Sequence, residues 1–393
     1  MRPGILFLLL MLNVAIGRSQ TYKQLIDSAG HISETAKGAV GKSKALNIYE
    51  KAFALYPKNM KNWDRYKASI LAAALAKKDQ AFKQLAFLAK DGLANNPGWE
   101  IITGADAAAD YKNLLKDPRW KKLEQKARLE RKTFYQLLMV HQQEFQRRVS
   151  PDKNRMEQQN GKELYRYLKD EEGFLAKKSR DYSIQFKISD TAITSYYVRL
   201  PKDYNPKKRY SLLFFLHGAV NYTSLADYQS SYILGDWNRF YTKYADQQEV
   251  IMVYPAGSKK YNWMKPDDGF FMIPAMLREI KKSINIDDDK VFISGHSNGA
   301  TGSFSYLMKQ QSPFAGFYGF NTKPKVFTGG TFIKNILNRS FFNVSTDMDY
   351  YYHPDAHDSL TVMMKKIGAD YHDHRYNGFP HSFPEYDESE PAM

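Results

Sequence analysis

Residues 290–300, Lys-Val-Phe-Ile-Ser-Gly-His-Ser-Asn-Gly-Ala, decide the fold of this 393-residue chain. The β-branched apolar run at 291–293 predicts a buried strand, and the residues after the stretch have the periodicity of an amphipathic helix. Gly295 and Gly299 flank Ser297, as a turn requires when neighbouring backbone leaves no room for side chains. Strand, sharp turn and helix together predict a serine hydroxyl held in a strained, exposed position above a sheet.

Apolar runs and helical patterns alternate from Asp181 to the end of the chain. Strands are predicted at 182–187, 195–200, 211–217, 250–254, 291–294, 317–320, 341–344 and 371–376, and helices notably at 269–283, 298–309 and 356–368. Strands that alternate with helices predict a mostly parallel sheet covered on both faces. The first two strands could pair as a hairpin-like edge, and Ser297 follows the fifth strand.

This order of elements resembles the α/β-hydrolase superfamily, and so does the pair His217-Gly218 after the third strand. The entry from Ile286 to Val291 into Gly-His-Ser-Asn-Gly is similar to secreted esterases of the feruloyl-esterase and polyhydroxybutyrate-depolymerase type. The resemblance covers residues 181–393. It implies a doubly wound α/β fold and a serine hydrolase that cleaves carboxylic esters through an acyl-enzyme.

The resemblance also implies a base and an acid, because a serine alone is a poor nucleophile. His381, in the turn after the last strand, stands where the family keeps its general base. The acid loop offers Asp347 and Asp349, of which Asp349 lines up better with Pro354, while Asp347 remains an alternative. Four other histidines compete for the role of base: His353, His357, His372 and His374.

Two backbone amides are expected to form the oxyanion hole, since amides can be aimed in advance at developing negative charge. The resemblance places them at Ala219 and Asn298. His296, beside the nucleophile, is expected to pack against the site or tune it. His372 and His374 share one face of a strand with Asp373 opposite, which favours surface histidines over a metal site. No cofactor is predicted.

The preceding residues, 20–126, are rich in Ala, Leu, Lys and Gln with helical periodicity, and 35–126 resemble a short, degenerate tetratricopeptide array. The matching positions are Ala45, Tyr49, Ala52, Pro57, Trp63, Tyr66, Ala81, Leu85 and Leu88. Two interpretations stay open: a concave face that binds a protein partner, or a packing and spacer domain. A polar helical linker is predicted at 127–180, before the hydrolase domain at 181–393.

Residues 1–19 have the charged start, apolar stretch and small residues of a cleavable signal peptide, so we expect a secreted or periplasmic protein without a stable membrane anchor. The chain has no cysteine and a net charge of +15. Its lysines are spread in pairs over helix faces, and nothing resembles a nucleic-acid module.

The loops at 220–236 and 259–268, with their tyrosines and Trp263, favour an aromatic or carbohydrate-linked ester. Two alternatives remain open: a serine peptidase of the same fold, and a partner-binding protein with an inactive hydrolase domain. Twelve residues follow His381. The family usually ends on a further helix, so we expect that helix to be missing or poorly replaced by 384–393.

Overall fold

The computed structural model describes residues 20–35, 38–148, 157–170, 173–264, 267–322 and 332–393. The predicted signal peptide lies outside the described residues. No helix in these ranges is long and apolar enough to cross a membrane. The chain forms two compact units, Met1–Thr133 and Phe134–Met393.

The first unit is helical, as its periodicity predicts. Its helices are α1 (Tyr22–Thr35), α2 (Gly38–Leu55), α3 (Asn62–Ala74), α4 (Lys78–Asp91), α5 (Gly98–Thr103), α6 (Ala107–Asp110) and the first part of α7 (Pro118–Gln146). Helix α1 packs on α2, and α3 packs on α4. The small and apolar residues of the repeat pattern on α2 and α4 are buried. Trp63 differs from the pattern, because 54% of its surface is exposed and it fills no gap between helices.

The predicted boundary at 126/127 falls inside α7, which continues to Gln146. The last part of this helix belongs to the second unit. Phe145 is fully buried with its ring 5.1 Å from that of Tyr182, and Gln142 accepts a 3.0 Å hydrogen bond from the backbone N–H of Gln185. The segment from Phe134 to Gln146 is therefore a packed part of the second unit. Helix α8 (Gly161–Asp170) follows within the predicted linker.

Eight strands form one sheet in the second unit. They are β1 (Asp181–Ser189), β2 (Ala192–Arg199), β3 (Tyr210–Leu216), β4 (Ile251–Pro255), β5 (Ile286–Gly295), β6 (Gly316–Phe320), β7 (Phe341–Thr346) and β8 (Tyr371–Tyr376). Their order is β1-β2-β4-β3-β5-β6-β7-β8. β2 is antiparallel to both neighbours, and every other pair is parallel. This is the α/β-hydrolase arrangement, and it confirms the predicted fold class.

Successive side chains of a strand point to opposite faces of the sheet and so contribute to two apolar clusters. Leu212, Phe214 and Leu216 of β3 enter the larger cluster, whereas Phe215 enters the smaller one. Four helices accompany the sheet: α9 (Arg239–Gln248), α10 (Asp268–Lys281), α11 (Asn298–Lys309) and α12 (Pro354–Ile367). Burial on both sides explains why the parallel strands read as nearly continuous apolar runs.

The C-terminal residues are better packed than the sequence led us to expect. These residues form two 3₁₀ turns, Phe383–Glu385 and Asp387–Ala392. Phe383 is fully buried in the smaller cluster, and Arg239 of α9 donates to the carbonyl of Pro384 at 3.1 Å. An ion pair between Lys243 and Glu390 adds a second tie to α9. Aromatic burial and polar ties to α9 thus hold this segment without helical periodicity.

Candidate active site

Ser297 lies in the turn between β5 and α11. Its φ of 56° and ψ of −117° are rare for a residue with a side chain. Its N–H donates to the carbonyl of Phe320 at 2.9 Å, which ties the turn to β6. A Cβ on Gly299 would stand 1.8 Å from the carbonyl oxygen of Leu216, and one on Gly295 would stand 2.5 Å from that atom. The flanking glycines are therefore required by close backbone approach, as predicted.

His381 and Asp349 form a buried pair. His381 Nδ1 lies 2.7 Å from Asp349 Oδ2. The other carboxylate oxygen, Oδ1, accepts from the N–H groups of Tyr351 at 2.8 Å and Tyr352 at 2.9 Å. Burial raises the pKa of Asp349, but hydrogen bonds from His381 and these two amides outweigh it and hold the pKa below its usual range. The ionised carboxylate fixes the proton of His381 on Nδ1, which leaves Nε2 as a proton acceptor.

Asp347, the alternative acid, lies elsewhere in the loop. Its side chain is exposed, and Oδ1 accepts from the N–H of Gly378 at 2.7 Å. The loop thus directs Asp349, and not Asp347, to His381.

His296 contacts the base from the side. Its Nε2 donates to the carbonyl oxygen of His381 at 2.9 Å, and its ring lies 4.7 Å from those of His381 and Trp237. Burial lowers the pKa of His296 to about 3, so the ring is neutral. This histidine therefore helps to hold the turn that carries His381.

Two of the competing histidines have other hydrogen-bond partners. His357 is buried against Asn343, and His372 pairs with Asp370 on the exposed edge strand. Asp373 points to the opposite face from His372 and accepts from Asn343 at 2.7 Å.

The loop after β3 approaches Ser297 closely. A Cβ on Gly218 would stand 3.0 Å from the Cβ of Ser297. Nε2 of His217 accepts from the N–H of Gly257 at 2.9 Å, so its proton is on Nδ1, which donates to the carbonyl of Gly218 at 2.7 Å. Burial lowers the pKa of His217 and keeps it neutral. Because carbonyl and N–H point in opposite directions across a trans peptide, the N–H of Ala219 points away from the His217 ring.

Ala219 itself has a φ of 53°. Asn298 is the first residue of α11, where backbone N–H groups have no partner within the helix. The N–H of Asn298 thus lies at a helix start, a position suited to binding negative charge.

Aromatic residues that the sequence did not single out surround the pair. The rings of Tyr351 and Tyr352 lie 4.8 Å and 5.6 Å from that of His381. Burial raises the pKa of Tyr352, whose N–H donates to Asp349. The run Tyr350-Tyr351-Tyr352 directly after Asp349 was the available signal.

Trp263 does not serve the role expected of it in substrate binding. It is fully buried, with its ring 4.9 Å from that of His217. A Cβ on Gly302 would stand 2.3 Å from the Trp263 ring, which shows how tightly the indole packs on α11.

The chain matches no protein-family model and no curated protein. Among solved structures, a thermostable esterase is 20% identical with a TM-score of 0.43, over 54% of this chain and 62% of its own. The LpqC poly(3-hydroxybutyrate) depolymerase from Bordetella parapertussis is 15% identical with a TM-score of 0.39, over 52% and 86%. A ferulic acid esterase is 17% identical with a TM-score of 0.43, over 55% and 96%. This likeness is distant, and the strand order and the geometry of the site are the basis for the function considered below.

Proposed function

We propose that this protein is a serine hydrolase that cleaves carboxylic esters through an acyl-enzyme. Ser297 is the nucleophile, His381 the general base and Asp349 the acid that orients it. The observation that carries the proposal is the 2.7 Å bond between His381 Nδ1 and Asp349 Oδ2. The ring of His381 lies 4.7 Å from that of His296, the residue before Ser297, whose φ is 56°. A buried carboxylate, an oriented imidazole and a strained serine are the parts that acyl transfer requires.

In the proposed reaction these three groups act in turn. Ser297 Oγ attacks the ester carbonyl carbon, and His381 Nε2 takes the hydroxyl proton. His381 returns this proton to the departing alcohol oxygen as the ester C–O bond breaks. Water then attacks the acyl-serine, gives a proton to His381 and releases the acid, while Ser297 regains its proton. The N–H groups of Ala219 and Asn298 stabilise the oxyanion in both steps.

A fluorophosphonate probe tests the proposal directly, because it labels only an activated serine. We expect the mature chain to be labelled at Ser297 and to hydrolyse short p-nitrophenyl esters. Ser297→Ala should lose labelling and on the order of 10⁴- to 10⁶-fold in turnover, with an unchanged circular-dichroism spectrum.

Ser305→Ala is the matched control, because Ser305 is buried on the same helix and its hydroxyl donates only to the carbonyl of Thr301, at 2.8 Å. It should keep normal labelling. Ser297→Ala that retains a tenth of the activity would refute the nucleophile. Parallel assays with p-nitroanilides separate an esterase from a peptidase.

The substrate, in this proposal, carries an aromatic or carbohydrate group. Its support is the exposed pair Tyr350 and Tyr351 beside His381, with Trp237 on the His296 side. Aromatic surfaces of this kind stack on flat rings and sugar faces. Export through residues 1–19 and recruitment of a protein partner by the helical unit complete the proposal. Mass spectrometry of the exported chain would test the cleavage expected after residue 19.

A further inference from the structure

Asn321, directly after β6, is a strained residue that the proposed triad and oxyanion hole leave unexplained. Its φ is 49°, in the left-handed region. Ala219 and Ser297 share this strain at the ends of the neighbouring strands β3 and β5, where the proposed oxyanion hole and nucleophile account for it. Backbone strain at a site persists only where the surrounding structure holds it in place, so Asn321 calls for an explanation.

The side chain of Asn321 is completely buried and contacts the proposed acid. Its Nδ2 lies 3.1 Å from Asp349 Oδ2 and 2.6 Å from Thr346 Oγ1. A carboxylate only accepts hydrogen bonds, and the hydroxyl of Thr346 donates its proton to the carbonyl of Pro380 at 3.2 Å. Both neighbours therefore require a donor, which fixes the amide with its NH₂ group toward Asp349.

The backbone around Asn321 joins the nucleophile turn to the acid strand. The preceding residue, Phe320, accepts the N–H of Ser297 at 2.9 Å, and Asn321 donates its own N–H to the carbonyl of Val344 at 2.7 Å. The left-handed backbone thus lies between two of the three proposed triad elements, with its side chain reaching the carboxylate.

We propose that Asn321 is a positioning residue, an inference that rests on the proposed function. Two backbone amides hold Oδ1 of Asp349, and the Asn321 N–H holds Oδ2, the oxygen that accepts from His381 Nδ1. With both oxygens held, the carboxylate cannot rotate about its bond to Cβ. The imidazole consequently keeps one orientation toward Ser297 through each proton transfer.

Two substitutions separate a donor role from simple packing. Asn321→Gly removes the side chain and relieves the left-handed strain, whereas Asn321→Asp keeps the shape and replaces the donor by a carboxylate. We expect both to lower kcat for p-nitrophenyl acetate by roughly 10- to 100-fold, with KM changed less than about twofold. Asn321→Asp should be at least as impaired as Asn321→Gly, because two buried carboxyl groups about 3 Å apart share one proton, so Asp349 is no longer fully ionised opposite His381. A packing role predicts the reverse order.

Asn343→Asp is the matched control. Asn343 is also fully buried and donates to a carboxylate, but that carboxylate is Asp373, outside the proposed triad. This variant should lower the thermal unfolding midpoint and leave kcat per folded molecule unchanged.

The fluorophosphonate reaction of the wild type keeps the two proposals apart. An unlabelled wild type refutes the proposed function. If the wild type is labelled and active, three results of the variants refute the inference alone. They are a kcat of Asn321→Asp equal to that of the wild type, a loss that falls on KM, or a failure of both Asn321 variants to fold.

Discussion

Asp349→Asn tests the orientation of the proposed base most sharply. The N–H groups of Tyr351 and Tyr352 both donate to Oδ1, so the amide oxygen of an introduced asparagine must occupy that position. Its NH₂ group then replaces Oδ2 and faces His381 Nδ1 and the NH₂ group of Asn321. A donor opposite Nδ1 favours the imidazole tautomer with its proton on Nε2. That tautomer has no lone pair for the hydroxyl of Ser297.

The expected loss in kcat is therefore about 10⁴-fold, the size found when a triad acid is replaced by its amide. Asp347→Asn is the control, because its side chain is exposed and an amide oxygen still accepts from Gly378. A surface substitution of this kind changes the free energy of unfolding by no more than about 0.5 kcal/mol, and we expect kcat to stay close to that of the wild type. Initial rates on a p-nitrophenyl ester, with thermal melts to verify folding, measure both. Equal effects, or the larger loss at Asp347, would refute the assignment of the acid.

Two further predictions concern stability. Burial holds the pKa of His296 at about 3, so the unfolded chain binds a proton that the folded chain does not as pH falls below the ordinary histidine range. The thermal unfolding midpoint should decrease as the pH is lowered from about 7 to 4, and His296→Gln should make this decrease smaller. An equal decrease in the wild type and the variant would contradict this prediction. A chain that starts at Phe134 should fold and turn over small esters, while one that starts at Leu175 lacks Phe145 and should be less stable by about 3–5 kcal/mol. Denaturant unfolding compares the two, and equal stability would show that the end of α7 is dispensable.

The sequence predicted the sheet and the nucleophile turn because both depend on local patterns. Strands buried on two faces produce apolar runs, and the turn at Ser297 needs glycines at two fixed positions. The fold class expected from these runs is confirmed by the sheet. The packing of the last part of α7, inside the predicted linker, was harder to predict, because Phe145 contacts Tyr182, which is distant in sequence. In a sequence, a polar helix that covers a strand resembles a helix that spans two domains.

The role of an aromatic residue is also difficult to predict from local sequence. A tryptophan in a loop of an expected hydrolase predicts substrate contact, yet Trp263 fills the space left by glycines at 257 and 302. Nothing local distinguishes an indole that packs from one that binds. The expectation for the C-terminal segment rested on its length and on the family's usual final helix, whereas its packing depends on Phe383 and on ties to Arg239 and Lys243.

Asn321 marks the boundary between features that a sequence reveals and features that require the fold. Residues with reactive side chains, such as Ser297 and His381, can be recognised because chemistry restricts the choice of residue type. A residue that orients one of them is defined by its position, and here that position depends on the register of β6 against β7 and on a left-handed φ. Both arise only when strands far apart in sequence pair. The ends of β3, β5 and β6 each carry a non-glycine residue with a positive φ, but Ala76, Asp236 and Glu249 have a positive φ as well. Positive φ alone therefore does not identify a residue of the site. The contacts of the buried Asn321 side chain with Asp349 and Thr346 do, and they exist only once β6 and β7 have paired.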